Sequence, residues 1–277
     1  MKIGMISFDF EHHDTIEDIL EEAHHYGMTI VDTGVANLLD DPGRMAKVQK
    51  LMEKYGIEIE SGFGDKYMEN ADKQTTDRFE ELCKKVFIPM GIKTLATAAV
   101  PLGMHRWVKD PPLEEQLHRV SAAIKKLAPV AESYGVTICI ENHVDYQARE
   151  ILRIIDMVNS PNVRAKFDSG NCLCVREEPV DAVQIIAPFV RSTHIKDSTS
   201  RPYDGTPLNL SPAVVGEGDI DIATVVYFLV KYAPDPQNLP WIIEIDCGTP
   251  PAGHTYESGI GGSVRYLRGL LEKLGIN

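Results

Sequence analysis

The sequence predicts an α/β chain that folds as a single (β/α)8 barrel covering residues 1–277. Short, β-branched apolar runs alternate with longer amphipathic segments, and this alternation repeats eight times. Several amphipathic segments end at glycine, the residue most often found just beyond a helix C-terminus. No linker of low complexity interrupts the repeat, so the pattern favours one closed TIM barrel over two smaller domains.

The apolar runs define the predicted strands, which occupy residues 2–7, 29–33, 57–61, 94–98, 137–141, 164–168, 192–195 and 241–245. In the segments between them, apolar residues recur at the three- and four-residue spacing of a helix with one buried face. These predicted helices occupy residues 15–26, 44–55, 75–87, 113–134, 147–158, 179–187, 222–232 and 262–274. In such a barrel the active site lies where the strands end, at the C-terminal mouth.

Charge and cysteine content exclude several classes of function. The net charge of -13 disfavours nucleic-acid binding, because that affinity rests on lysine and arginine neutralising phosphates. The five cysteines are odd in number and lie mostly in apolar or strand contexts, as expected of reduced thiols in a cytoplasmic protein. No stretch approaches the ~18 to 20 apolar residues of a membrane span. We expect a cytoplasmic protein with a small-molecule partner, and homo-oligomerisation stays open.

Four ligand-type side chains end the last four predicted strands, and we call them the strand-end quartet: Glu141, Asp168, His194 and Glu244. Side chains alternate across a strand, so the apolar residues before each member face the other way. Neighbouring barrel strands would bring the quartet to one point, whereas an open sheet would separate its first and last members by ~14 Å. Carboxylates with one imidazole suit a divalent Mn, Mg, Co or Zn ion.

Five sequence motifs surround the quartet and carry a resemblance to a known family. The chain resembles the xylose isomerase-like TIM-barrel superfamily along its whole length, in the sugar phosphate isomerase/epimerase branch. That resemblance implies one bound divalent metal ion, Mn²⁺ foremost, held by the quartet. The motifs are ENH at 141–143, FDSGN at 167–171, HIKD at 194–197, VGEGDID at 215–221 and IEID at 243–246.

The resemblance implies sugar chemistry by proton transfer through a metal-stabilised enediolate. Glu141 and Glu244 come from strands on opposite sides of the metal, so one can remove a proton and the other return it. Return to the same carbon gives an epimerase, return to the next carbon an isomerase, and loss of a leaving group a lyase. Lys196 and His143 are further candidate acid-base groups, since they lie close to the quartet in sequence.

Substrate-binding candidates lie in the loops that follow the strands. The loop 101–111 is longer than a simple connection of ~2 to 6 residues, and it offers His105 and an indole, Trp107, to pack on a sugar. Asn171 and Arg201 are the other candidates. The glycines in VGEGDID are interpreted as conformational, because GxG alone is a weak phosphate motif. An unphosphorylated sugar, keto-sugar or glycoside is therefore expected.

One lysine falls inside the predicted barrel. Lys166 shares the face of Asp168 one layer lower, where a buried ammonium group needs a carboxylate partner. The sequence offers Glu141 or Glu244 as that partner, or else a position near the solvated start of the strand.

Competing functions stay open within the same superfamily. AP endonucleases of this fold use three zinc ions and more histidines, including one at the position of Asn171. Ketose 3-epimerases usually carry an arginine that Arg201 matches only with a shift of one residue. HIKD is closer to a group that includes inosose dehydratases and C-glycoside-cleaving enzymes, so a metal-dependent lyase is the main alternative. The non-catalytic alternative is a barrel that binds a metal ion or a sugar without turnover.

Overall fold

A computed structural model describes residues 1–62, 71–98, 105–203, 206–245 and 250–277, without the side chains of 201–209. Its strands are β1 (Lys2–Ile6), β2 (Ile30–Asp32), β3 (Glu58–Gly62), β4 (Thr94–Ala98), β5 (Thr137–Glu141), β6 (Val163–Asp168), β7 (Val190–Ile195), β8 (Asp197–Tyr203), β9 (Thr206–Ala213) and β10 (Pro240–Ile243). Strands β1 to β7 and β10 form a closed parallel barrel in which β10 lies between β7 and β1. The predicted barrel is confirmed.

Helices surround the barrel and follow the predicted order closely. They are α1 (Ile16–His25), α2 (Pro42–Tyr55), α3 (Lys73–Leu82), α4 (Leu113–Tyr134), α5 (Ala148–Val158), α6 (Asn171–Cys174), α7 (Pro179–Ile186), α8 (Ile222–Tyr232) and α9 (Tyr256–Lys273). Helix α3 continues into a wider π-helical turn at Cys83–Phe87. The short α6, directly after β6, was not predicted from the sequence.

Strands β8 and β9 form an antiparallel hairpin outside the barrel, and the sequence analysis missed it. The segment alternates polar residues with three prolines, Pro202, Pro207 and Pro212, which are rare in the middle of a sheet. A two-stranded sheet has only edge strands, so proline is tolerated there. Arg201 lies in β8, and its side chain is outside the described part of the chain.

Helix α9 begins six residues before the predicted start at residue 262. The part of the helix before residue 262 contains Gly259 and Gly261, and glycine weakens helix interiors. The start is stabilised by a reciprocal cap in which Thr255 and Ser258 each accept the other's backbone N–H. Glycine at position 262 also allows the helix to pack closely, since a Cβ there would lie 3.1 Å from the Val214 side chain.

The register of the barrel sets the functional side chains side by side. Asp168 pairs with His194 between β6 and β7, and Glu141 pairs with Lys166 between β5 and β6. Glu244 follows the last residue of β10, where its backbone N–H donates to the Ile195 carbonyl. Ile140, next to Glu141, points the other way and is fully buried beneath the helices. The alternation expected from the sequence is therefore present.

Gly4 is the tightest point between β1 and β2. It pairs with Ile30, and a Cβ at this glycine would lie 1.9 Å from the Ile30 carbonyl oxygen. We expect Gly4→Ala to lower the free energy of unfolding by about 1–3 kcal/mol, as overpacking in cores does. Urea denaturation measures it. The matched control is Gly43→Ala in α2, where the added Cβ lies 3.5 Å from its nearest neighbour, Asp41. Equal effects of the two changes would contradict the prediction.

Candidate metal centre

The strand-end quartet meets at the C-terminal mouth of the barrel. Glu141, Asp168, His194 and Glu244 are all buried, and each offers one ligand-type atom within 4.8 Å of the others. Two members end β5 and β6, one lies near the end of β7, and one directly follows β10. These four strands are neighbours in the closed barrel, in the order β5, β6, β7, β10. The convergence expected from the sequence is present, while the role of the quartet as a metal site stays a prediction.

His194 lies at the centre of the quartet and directs one ring nitrogen at the carboxylates. Its Nδ1 is 2.6 Å from Glu244 Oε2, 3.2 Å from Glu141 Oε1 and 3.7 Å from Asp168 Oδ2. The other nitrogen, Nε2, faces away from the quartet. The ligand-type atoms of the site are therefore one imidazole nitrogen and oxygens from three carboxylates.

The donor set fits a divalent cation. Asp168 Oδ2 is buried and accepts no hydrogen bond from the described residues, although Lys196 Nζ lies 3.4 Å away. A buried oxygen without a hydrogen-bond partner is energetically costly, and a metal ion would satisfy it. Three oxygen donors with one nitrogen match the preferences of Mn²⁺ and Mg²⁺, and also accommodate Co²⁺ and Zn²⁺.

The charges of the quartet are strongly coupled. Burial opposes ionisation of Glu141 and Glu244, but the charge and hydrogen bonds of His194 outweigh it and lower both pKa values. For Asp168, burial dominates and raises the pKa to about 7, despite the nearby Lys196. Burial and Lys166 disfavour the imidazolium form of His194, yet the surrounding carboxylates raise its pKa well above the ordinary value. Three carboxylates in one buried volume need compensating positive charge.

Lys196 and Asn171 form the next layer around the quartet. Lys196 Nζ lies 2.7 Å from Glu244 Oε1 and donates to Asn171 Oδ1 at 3.1 Å. Asn171 Nδ2 in turn donates to Glu141 Oε1 at 3.2 Å, and its backbone N–H donates to Asp168 Oδ1. Both side chains are buried. Asn171, predicted to bind substrate, therefore bridges Lys196 to the quartet in this structure.

The FDSGN motif acquires a physical explanation from Lys196. Ser169 exchanges hydrogen bonds with the Lys196 backbone, donating to its carbonyl oxygen at 2.7 Å and accepting from its N–H at 2.9 Å. A Cβ on Gly170 would lie 2.5 Å from Lys196 Cδ. Glycine at this position therefore leaves room for the aliphatic stem of Lys196 to reach the quartet.

The glycines of VGEGDID wrap around a carboxylate of the protein itself. Asp197 accepts hydrogen bonds from the backbone N–H groups of Gly216, Gly218 and Ile220. A Cβ on Gly218 would lie 2.0 Å from Asp197 Oδ1, and Gly216 has a φ of 92°. The structure thus agrees with the conformational interpretation of these glycines. The turn closes the base of the hairpin, because Asp197 begins β8 and the turn follows the end of β9.

Two buried carboxylates near the quartet were missed by the sequence analysis. Asp32 ends β2 and Glu60 lies in β3, and both hold the fully buried Lys166, with distances to its Nζ of 2.5 Å and 2.8 Å. The two partners suggested from the sequence, Glu141 and Glu244, were wrong, and so was the solvated alternative. Asp32 and Glu60 both fall inside predicted strands, at 29–33 and 57–61, but no local pattern indicates that they pair with a lysine more than 100 positions away.

The remaining candidate residues lie around the mouth. His143 is partly exposed two residues beyond Glu141, and its charge opposes the burial that raises the pKa of Asp145 to about 7. Trp107 is 46% exposed, with the guanidinium groups of Arg106 and Arg176 each 5.0 Å from its ring centroid. His105 Nδ1 accepts the Trp107 backbone N–H. Residues 101–104 of this loop lie outside the described residues.

A second opening lies at the other end of the barrel. A cavity of about 740 Å³ is lined by residues from the strand starts, among them Lys2, Glu58, Lys93 and Arg191, and Glu60 contributes to its floor. In barrels of this type the chemistry lies at the C-terminal mouth. The quartet, rather than this cavity, is therefore the candidate functional site.

Comparison with protein families decides the broader relationship. A family model described as "Xylose isomerase-like TIM barrel" matches residues 20–267. The chain belongs to this family. The superfamily predicted from the motifs is therefore confirmed.

The chain has low sequence identity to curated relatives. The chain is 25% identical over 228 residues to "Uncharacterized protein YihM" of Escherichia coli (strain K12), covering 77% of this chain and 68% of that one. It is 25% identical over 124 residues to 3-oxo-isoapionate decarboxylase of Pectobacterium atrosepticum, 44% of each chain. It is 26% identical over 94 residues to Inosose dehydratase 1 of Bacillus cereus, 33% of this chain and 32% of that one.

Solved structures share the fold over nearly the whole length. A D-psicose 3-epimerase in the presence of D-fructose superposes with a TM-score of 0.77 at 18% identity, covering 99% of this chain and 100% of the other. An L-ribulose 3-epimerase gives 0.73 at 16% identity, with coverage of 99% and 96%. At such identities the likeness establishes the fold alone. In the described ranges, no helix is both long and apolar enough to cross a bilayer.

The buried ion pairs of Lys166 predict a large effect on stability. Lys166→Met leaves Asp32 and Glu60 buried without their counter-charge, and we expect the free energy of unfolding to fall by about 3–5 kcal/mol. Guanidinium denaturation at neutral pH measures the change. The control is Lys2→Met, which removes a partly exposed pair with Glu58 and is expected to cost about 1 kcal/mol or less. Equal losses in the two variants would contradict the buried-pair interpretation.

Proposed function

We propose that the protein is a divalent-metal-dependent isomerase or epimerase of a small sugar or keto-sugar, acting by proton transfer beside a carbonyl group. The observation that carries the proposal is the pair Glu141 and Glu244, which approach His194 Nδ1 from β5 and from the end of β10. Strands β6 and β7 separate them in the barrel, so the two carboxylates border the site from different sides. Two carboxylates so arranged suit proton removal and proton return.

The quartet would hold the metal ion. When bound, the ion would polarise the substrate carbonyl and so acidify the neighbouring C–H bond. Mn²⁺ is our first choice, with Mg²⁺, Co²⁺ and Zn²⁺ as alternatives, because the oxygen-rich donor set favours hard cations.

The chain's own groups divide the proton transfers. His194 and Asn171 both contact Oε1 of Glu141, and we assign the proton-accepting role to its other oxygen, Oε2. Glu244 is hydrogen-bonded through both oxygens, to His194 and to Lys196. Lys196 therefore shares a proton network with Glu244, and its ammonium group would stabilise negative charge on a substrate oxygen. Proton return to the same carbon gives epimerisation, and return to its neighbour gives aldose–ketose isomerisation.

The loop residues would bind the substrate. Trp107 offers a half-exposed ring at the edge of the mouth, and we propose that it packs on the apolar face of a sugar. His105 is proposed to supply hydrogen bonds, and Asn171 to orient both Lys196 and the substrate. His143 keeps its proposed role as a further acid-base group. Arg201 keeps its proposed role in substrate binding.

A lyase is the second candidate, and two observations favour it. The curated relatives include a decarboxylase and an inosose dehydratase. The ammonium group of Lys196, buried beside Glu244, is also placed to protonate a leaving oxygen. Dehydration would begin with the same removal of a proton beside a carbonyl, whereas decarboxylation would release CO₂ and leave the same kind of enolate charge, so the quartet would suit either.

The metal assignment has a direct test. We expect the purified protein, loaded with Mn²⁺ and dialysed, to keep about one ion per chain, and His194→Ala to lose it, because the central nitrogen donor is removed. Elemental analysis gives the ratio. The control is His25→Ala, which removes an exposed histidine paired with Glu257. Full occupancy in His194→Ala would overturn the assignment.

The proton-transfer step is tested by isotope exchange. We expect the protein to wash deuterium from D₂O into one member of a panel of free ketoses that includes D-fructose, as followed by proton NMR. Glu141→Gln and Glu244→Gln keep an oxygen ligand but cannot act as bases, so each should slow exchange by ~10² to 10⁴-fold. Glu58→Gln, at the opposite end of the barrel, should exchange normally. Loss of water from an inosose without exchange into any ketose would replace this function with the lyase.

A further inference from the structure

The unexplained feature of the site is a carboxylate behind the histidine. Asp32 Oδ2 lies 3.1 Å from His194 Nε2, the ring nitrogen that faces away from the quartet. Asp32 is buried, and it comes from β2, which β1 and β10 separate from β7 in the barrel. The two residues are 162 positions apart in the chain. Nothing in the proposed chemistry so far uses this contact.

The two ring nitrogens of His194 must differ in protonation if the ring is to bind a metal ion. A nitrogen that binds a metal ion must carry no proton, so ligation through Nδ1 requires the proton of the neutral ring to lie on Nε2. An imidazole N–H that points into a buried space needs an acceptor. The carboxylate of Asp32 is that acceptor, at hydrogen-bonding distance.

We propose that Asp32 is a positioning residue for the metal centre: it accepts the Nε2 proton of His194 and thereby holds the ring with Nδ1 turned to the quartet. This inference rests on the proposed metal site. Carboxylates that hold a ligating histidine in this way typically change metal affinity by 10–100-fold when they are replaced.

Lys166 completes the arrangement by fixing Asp32. Its Nζ lies 2.5 Å from Asp32 Oδ2, the same oxygen that meets His194, and 2.8 Å from Glu60 Oε1. Glu60 Oε1 also accepts a hydrogen bond from Ser192 Oγ at 2.6 Å. Strands β2, β3, β6 and β7 thus contribute one residue each to a buried assembly directly beneath the histidine. The orientation of His194 is set by the interior of the barrel as well as by the mouth.

Glu60 provides a matched control within the same assembly. Asp32 and Glu60 are both buried carboxylates bound to Lys166 Nζ, but the described contacts of Glu60 are with Lys166 and Ser192, whereas Asp32 also meets His194. Replacing either by its amide removes one buried negative charge beside Lys166. A general effect of the lost charge on the core should therefore appear in both Asp32→Asn and Glu60→Gln. An effect on metal binding through His194 should appear in Asp32→Asn alone.

The experiment compares metal-stripped wild type, Asp32→Asn and Glu60→Gln by titration calorimetry with Mn²⁺ alone. We expect Asp32→Asn to weaken Mn²⁺ binding by about 10–100-fold and Glu60→Gln to change it by less than about threefold. Nitrogen-15 NMR of histidine-labelled, Mg²⁺-loaded protein supplies a second readout. The wild type should show one His194 tautomer with the proton on Nε2, and Asp32→Asn should show a mixture.

Each outcome decides a separate point. Equal affinities of the two variants, or an unchanged tautomer in Asp32→Asn, would overturn the positioning role while leaving the metal site intact. Retention of metal by His194→Ala would overturn the proposed function itself. If Asp32→Asn does not fold, Asp32→Asn/Lys166→Met and Glu60→Gln/Lys166→Met restore the charge balance, and the same difference in Mn²⁺ affinity between them is expected.

Discussion

Lys166 places a positive charge inside the closed barrel, and the structure depends on the carboxylates that meet it there. An ammonium group without a partner in this environment would be strongly destabilising. Asp32 and Glu60 reach it from β2 and β3, across the barrel from β6. The ion pairs exist only when the barrel closes, because they join strands that are not neighbours. Pairing of the buried charge therefore requires the closed sheet.

The same demand for charge balance continues upward to the mouth. Asp32 belongs to both layers, since one of its oxygens meets Lys166 and His194. Above it, His194 and Lys196 offset three carboxylates, and burial still raises the pKa of Asp168 to about 7. The site thus contains one more carboxylate than the two cationic side chains, His194 and Lys196, can balance. This excess of negative charge suits a divalent ion, whose positive charge would balance it.

The strand-end quartet was predictable because its signal is local. Each member follows a short apolar run, and alternation along a strand tells which face each side chain takes. Parallel closure then makes neighbours of successive strands. The partners of Lys166 were not predictable in this way, because Asp32 lies 134 positions away and pairs across the barrel. Only the tilt and register of the closed barrel bring the two together. The hairpin β8–β9 was not predicted for another reason: its strands lack the apolar runs that are typical of a buried sheet.

The sequence by itself determined the barrel, the order of its strands and the four side chains at or next to the C-terminal ends of β5, β6, β7 and β10. These follow from periodicity, which short stretches of chain encode. The tertiary structure alone decided that Asn171 bridges Lys196 and Glu141, and that Gly170 makes room for the lysine. It also decided that the Nε2 atom of His194 meets the Asp32 carboxylate. Such contacts depend on distances between side chains from different strands, and those distances are set by packing rather than by local pattern.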